Sequence, residues 1–255
     1  MNDTMLLIHG GGLADWFAPM ADDPVLKDYR VIRSVRAGYT DTPVPPGLTV
    51  NDHAQHAAEL IKAAPAHVVA HSSGSAVALQ LALDHPDLIR TLVLVEPPLV
   101  DALADPADHD LLQSMFGPVI GEAMVAVARG DVPAAFDTFM TLVCGPDHRR
   151  VMLDALGPDV VEAAARRAYF FTDELPAIGA WNPPDLTRIE TPVLLIQGSD
   201  SPPPLHRLIT HLSGLIPGST IVTIPGANHL MPLTRPTDLA REIDQFCGSF
   251  VSPSR

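Results

Sequence analysis

A parallel β-sheet covered by helices on both faces is the fold class this sequence predicts, and three observations carry it. Short runs rich in Val, Ile and Leu recur along the chain. They are apolar at nearly every position rather than at alternate ones, and longer segments with helical spacing separate them. A chain of 255 residues with 47% hydrophobic composition suits one large domain with a substantial core.

The elements follow in order. MLLI at 5–8 is the first strand, and glycines then lead to an expected helix around 13–20. YRVIRSV at 29–35 is the second strand. Residues 50–63 have helical spacing, with Thr49 or Asn51 available as the cap. HVVA at 67–70 is the third strand, and SAVALQLALDH is a helix stopped by His85-Pro86. TLVLVE at 91–96, PVLLIQG at 192–198 and STIVTIPG at 219–226 complete the strands, and a closing helix runs from about Pro236 to Phe250. The proline run SPPP at 201–204 is expected to be a rigid loop.

Residues 100–184 break this rhythm. Short helical segments punctuated by FGP, CGP and LGP replace the strand pattern, and five of the eight Phe lie there. The stretch is expected to be a helical insertion, a lid over the strand ends, leaving 1–99 and 185–255 as the core.

Composition narrows the function. The formal net charge is −14, from 30 acidic and 16 basic residues, and no basic run stands out. That balance argues against nucleic acid and anionic membrane as partners. Cys144 and Cys247 are far apart and lack metal-ligand or redox spacing, so a reducing compartment is expected. The opening MNDTMLLIHGGG has no basic region typical of a signal peptide, and no uncharged apolar stretch has membrane-spanning length. The cytoplasm is the expected location.

The chemistry concentrates at AHSSGS, where the third strand must turn sharply into a helix. A nucleophile elbow needs small residues two before and two after its serine, because the turn leaves no room for side chains. Ser72, between Ala70 and Gly74, meets the requirement; Ser73 would need His71 in a small place, and Ser75 would need Val77 there. The ordinary alternative is a corner at which Ser72 or Ser73 caps the helix. The glycine-rich turn HGGG after the first strand can present bare backbone N–H groups to a developing oxyanion. It lacks the Lys-Ser/Thr of a phosphate loop. His229, in GANH after the last strand, has an imidazole suited to taking a serine proton at neutral pH.

The order HGGG, AHSSGS, GANH resembles the α/β-hydrolase superfamily over nearly the whole chain outside the insertion, with Ala70 where the family usually has Gly. The resemblance implies an α/β-hydrolase fold with Ser72 as nucleophile and His229 as base. It also implies an oxyanion hole from the N–H groups of Ser73 and Gly11, with Gly12 as the alternative donor. By the same resemblance, residues 100–184 are a cap that shapes substrate choice, and the family's leading β-hairpin has no counterpart.

The triad acid is open between two residues. The family's common position, three residues after the glycine of PVLLIQG, is Ser201 here, and Asp200 sits one residue early. Glu96 closes the strand TLVLVE, the second place the family uses. A glutamate ending so apolar a strand is costly unless it is paired, and a histidine across the strand ends would pair it. Glu96 is therefore favoured over Asp200. Some lactone-hydrolysing members are similar in joining an SSG elbow to a strand-end Glu.

His53 and His56, and less well His206 and His211, can share helix faces, but without a carboxylate in ligand spacing they are expected to be solvated rather than metal ligands. Arg166 and Arg167 are expected at the surface. The resulting expectation is a serine hydrolase, without cofactor or metal, acting on a small ester or lactone with apolar or aromatic character. C–C bond hydrolysis, perhydrolysis and thioester cleavage use the same triad, and a ligand sensor built on the hydrolase fold is the rival from another class. Oligomeric state is left open.

Overall fold

The computed structural model describes residues 2–99, 106–182 and 185–250; the parts of the expected insertion at 100–105 and 183–184 lie outside them. Six strands form one sheet: β1 (Asp3–Ile8), β2 (Tyr29–Ser34), β3 (Ala66–His71), β4 (Ile89–Val95), β5 (Val193–Gly198) and β6 (Thr220–Ile224). Their order is β2-β1-β3-β4-β5-β6, and every neighbouring pair is parallel.

Eleven α-helices accompany the sheet among the described residues. They are α1 (Ala18–Ala21), α2 (Val50–Ile61), α3 (Gly74–Asp84), α4 (Pro106–Ala128), α5 (Val132–Cys144), α6 (His148–Leu156), α7 (Pro158–Ala165), α8 (Leu175–Ala180), α9 (Pro203–Leu215), α10 (Met231–Thr234) and α11 (Pro236–Gly248).

The strands are apolar throughout because both faces are covered. Leu6, Ile8, Val68, Leu92, Leu94, Val193 and Leu195 pack against α2, α3 and α9. The alternating residues Met5, Leu7, Val69, Val93, Leu194 and Ile196 pack against α1 and α11 on the other face. Thr49 caps α2 through a reciprocal pair of bonds with Asp52, one of the two caps the sequence offered.

Two elements and one side chain differ from expectation. The helix expected around 13–20 shrinks to the single turn Ala18–Ala21, which begins where Pro19 can occupy the first turn. The expected loop SPPP is a loop only at its start, because Pro203 and Pro204 open α9. Proline needs no N–H partner in a first helical turn, so the run starts a helix instead of preventing one. His53 is buried on α2, where its Nε2 lies 3.2 Å from Tyr169 Oη, and burial pushes its pKa down to about 4. His56 remains exposed.

Between β4 and β5 the described residues hold helices α4 to α8 and no strand. They build a third apolar cluster, with Phe136, Met140, Val161, Phe170 and Phe171 packed on Leu13, Trp16, Leu230 and Leu233 from the strand-end loops. Among the described residues α4 alone is long and apolar enough to cross a membrane by length and composition; Leu112, Met115, Phe116 and Ile120 on it line a cavity.

Candidate active site

The chain leaves β1 for β2 on one side and later returns to place β3 on the other, so loops after β1 and β3 diverge at their carboxyl ends. That is where open parallel sheets collect ligands. Gly11, Ser72, Ser73, Glu96 and His229 all line one cavity of about 240 Å³ at this place.

Ser72 follows β3 with φ 52°, and Glu96 follows β4 with φ 50°, the only non-glycine residues in the left-handed region among those described. Such a conformation costs about 1–3 kcal/mol and persists only where the surroundings enforce it. Here they do. His71 and Val95 are register partners, so the next residues stand level. The Ser72 N–H donates to Val95 O and the Glu96 N–H to Ile196 O, each at 2.9 Å. A Cβ on Gly74 would lie 2.5 Å from His9 O, which explains why the second small position of the elbow has no side chain.

His229 Nε2 lies 3.0 Å from Ser72 Oγ. On the other side of the ring, His229 Nδ1 is 3.5 Å from Glu96 Oε2, an ion-pair separation longer than a good hydrogen bond. Glu96 is 4% exposed, and its Oε1 accepts from Gly198 N–H at 2.7 Å and Ser201 Oγ at 2.8 Å. Burial opposes the charge on Glu96, but His229, the Gly198 N–H and the Ser201 hydroxyl outweigh it and hold the carboxyl below its ordinary 4.5. Ser201, which stands where the resemblance looks for an acid, thus supports the acid on the neighbouring strand. Asp200 is exposed, and its carboxylate accepts from Ser199 Oγ at 2.8 Å.

Neither serine of the corner caps α3. Ser73 flanks its N-terminus without a capping bond, and Ser73 Oγ donates to Glu174 Oε1 at 2.7 Å. Its N–H belongs to a helix end, where such groups lack an intrahelical acceptor. Of the two glycine donors, Gly12 is already engaged, its N–H donating to Tyr39 Oη at 2.8 Å. Gly11 lines the cavity, and its carbonyl accepts from Trp16 Nε1 at 3.1 Å. Gly11 and Ser73 thus both line the cavity, whereas the Gly12 N–H is taken up by Tyr39 Oη.

His71 was not anticipated as part of this arrangement. It is fully buried beneath His229, ring centroids 4.6 Å apart, and burial drives its pKa well below 6.5. Its Nε2 lies 3.1 Å from His229 O, a group that only accepts, so the neutral ring carries its proton on Nε2. Its signal in the sequence was its place next to Ser72, where it served only to rule out Ser73.

The far wall of the cavity is apolar, with Leu112, Phe116, Phe139, Met140, Phe170 and Trp181 prominent. No Lys or Arg lines it among the described residues. Among those residues no group of three or more His, Cys, Asp or Glu side chains gathers in a metal-binding arrangement. Arg167 is partly covered, its Nη1 donating to Thr40 O at 2.8 Å and so joining the insertion to the loop after β2. Arg166 stays exposed near Glu162.

A family model described as "Alpha/beta hydrolase family" matches residues 5–242. The chain belongs to the alpha/beta hydrolase family. Within that family it is similar to a pimeloyl-[acyl-carrier protein] methyl ester esterase from Neisseria meningitidis, 29% identical over 65% of this chain and 62% of that one. It also matches the Arabidopsis thaliana protein BODYGUARD 2, 33% identical over 38% of this chain and 23% of that protein. The chain thus spans between about a quarter and three-fifths of these two curated relatives. Among solved structures, the enol-lactonase from Burkholderia xenovorans LB400 superimposes with TM-score 0.75 at 20% identity, covering 97% of this chain and 92% of that one. At that identity the likeness concerns the alpha/beta hydrolase fold.

Proposed function

We propose that this alpha/beta hydrolase is a serine hydrolase that cleaves a small, neutral carboxylic ester or lactone through an acyl-enzyme. The observation that carries the proposal is Ser72 Oγ at 3.0 Å from His229 Nε2, with buried Glu96 behind the same ring. His229 takes the Ser72 proton as Oγ attacks the carbonyl, and Glu96 stabilises the resulting imidazolium and holds its tautomer. Negative charge developing on the carbonyl oxygen is met by the N–H groups of Gly11 and Ser73, each donor worth about 2.7–4 kcal/mol in such sites. His229 then gives the proton to the leaving alkoxide. Water activated by the same imidazole releases the acid and restores Ser72.

The insertion acts in this reading as the cap that selects substrate. Its apolar wall, and the lack of a lining cation among the described residues, favour a neutral substrate with alkyl or aromatic character over a free acid or phosphate. The Neisseria relative's name as a methyl ester esterase supports ester chemistry. A panel of small esters and lactones followed by pH-stat, with Ser72→Ala as the blank, tests the proposal. Turnover lost in the variant is expected. Equal turnover by the variant, or silence from folded wild type, would reject the ester and lactone reading.

A further inference from the structure

A second carboxylate is buried at this site, on the side away from Glu96, and no step above uses it. Glu174 ends a short π-helix, Phe170–Glu174, in the insertion and is only 2% exposed. Its Oε1 accepts from Ser73 Oγ at 2.7 Å and from Arg36 Nη2 at 2.9 Å, and Oε2 accepts from Tyr39 Oη. Tyr39 Oη in turn accepts the Gly12 N–H. Arg36 is itself 1% exposed, and its backbone N–H donates to His9 Nε2 at 3.2 Å.

A buried ion pair is a poor device for holding an insertion on its core, because desolvation consumes most of the attraction and apolar packing does the task as well. Apolar packing is already present, with Phe170 set against Gly11 so closely that a Cβ there would lie 2.2 Å from its ring. What distinguishes this network is where it ends. One arm grips the side chain of Ser73, whose N–H is one oxyanion donor. The other reaches, through Tyr39, the N–H of Gly12, the residue next to the second donor. Arg36 neutralises the carboxylate, so the grip does not set a bare negative charge beside a developing oxyanion.

We propose that Glu174 is a positioning residue for the oxyanion hole, fixing Ser73 directly and the Gly11–Gly12 turn through Tyr39, so that the hole is assembled only when the insertion is seated. The inference rests on the serine-hydrolase reading. Oxyanion donors act only when held at hydrogen-bond distance from where the charge appears, so losing the grip lowers the rate of the chemical step more than substrate affinity.

Ser73→Ala and Tyr39→Phe test this while keeping both backbone donors and the Arg36–Glu174 pair, and Glu174→Gln tests the carboxylate itself. On the best ester of the panel, each of the first two is expected to lower kcat about ten-fold with KM within about two-fold, and to weaken a trifluoromethyl ketone inhibitor by the same factor. Melting temperature establishes that each variant is folded; should Glu174→Gln fail to fold, the other two carry the test. Unchanged kcat and inhibitor affinity, or a rise in KM alone, would overturn the inference and make Glu174 a latch. Loss of wild-type turnover in Ser72→Ala validates the underlying mechanism in the same assay, so a null result then counts against Glu174 alone. A folded wild type that turns over no panel member rejects the ester and lactone reading, and this inference, which rests on it, falls with it.

Discussion

The two walls of the cavity are built by opposite means. On the sheet side, Gly11, Ser72, Ser73, Glu96 and His229 sit on turns immediately after strands, and two of them hold strained left-handed backbone. On the insertion side, Leu112, Phe116, Phe139, Met140 and Phe170 line the cavity from helices, and Phe139, Met140 and Phe170 belong to one apolar cluster. In the proposed mechanism, strand ends tied into a parallel ladder hold the proton-transfer atoms, whereas the helices shape an apolar wall. The difference teaches that changes on the sheet side should act on kcat and those on the insertion side on KM. Glu174 is the buried charge that crosses from the second wall to the first.

The largest effect expected on the sheet side separates the two candidate acids. Glu96→Gln should lower kcat by about 10³- to 10⁴-fold with little change in KM, because His229 loses the partner that fixes its tautomer and stabilises its cation. Asp200→Asn, an exposed carboxylate away from the ring, should stay within about two-fold. Steady-state kinetics on both variants checks this, and the reverse pattern would break the assignment.

A smaller effect is expected on the insertion side. Phe139→Ala removes a ring that lines the cavity 4.8 Å, centroid to centroid, from Phe170. KM for the most apolar substrate of the panel should rise roughly ten-fold while kcat stays within about three-fold. An equal fall in kcat would erase the division of labour between the walls.

The smallest effect is on stability, and it sharpens the contrast between buried histidines and the buried acid. Burial pushes His53 and His67 each down to about 4, so the unfolded chain binds their protons more readily. Their contribution is complete above about pH 6.5 and is lost as pH falls toward 4. A loss on the order of 1 kcal/mol per histidine between pH 7 and pH 5 is expected, allowing for screening. Glu96 works lower. Its carboxyl is held below 4.5, so its contribution is present above that value and fails only under stronger acid. Urea unfolding from pH 8 to pH 4 should reveal a decline starting near pH 6.5 that is shallower in His67→Gln; a flat profile would contradict it.

The sheet was legible because strands covered on both faces repeat one simple signal, and the elbow was legible because Ala70, Ser72 and Gly74 are neighbours in sequence. The pairing of Glu96 with His229 was readable for a related reason: an acid ending so apolar a strand needs a partner. The start of α9 was hidden by prolines, which suit a first helical turn as well as a loop. Glu174 was hidden more deeply, since its partners are Arg36 and Tyr39 on the loop after β2 and Ser73 after β3, two segments far away in sequence. The one local hint was a carboxylate between Phe170-Phe171 and Leu175, an acid in apolar company like Glu96.

The central claim is that Ser72, and not its neighbour, is the nucleophile. Reaction of the protein with a fluorophosphonate, followed by intact-mass measurement and peptide mapping, tests it most directly. The account predicts a single adduct on Ser72 that is absent in Ser72→Ala and retained in Ser73→Ala. An adduct on Ser73 or Ser75, or no adduct on folded protein, would contradict it.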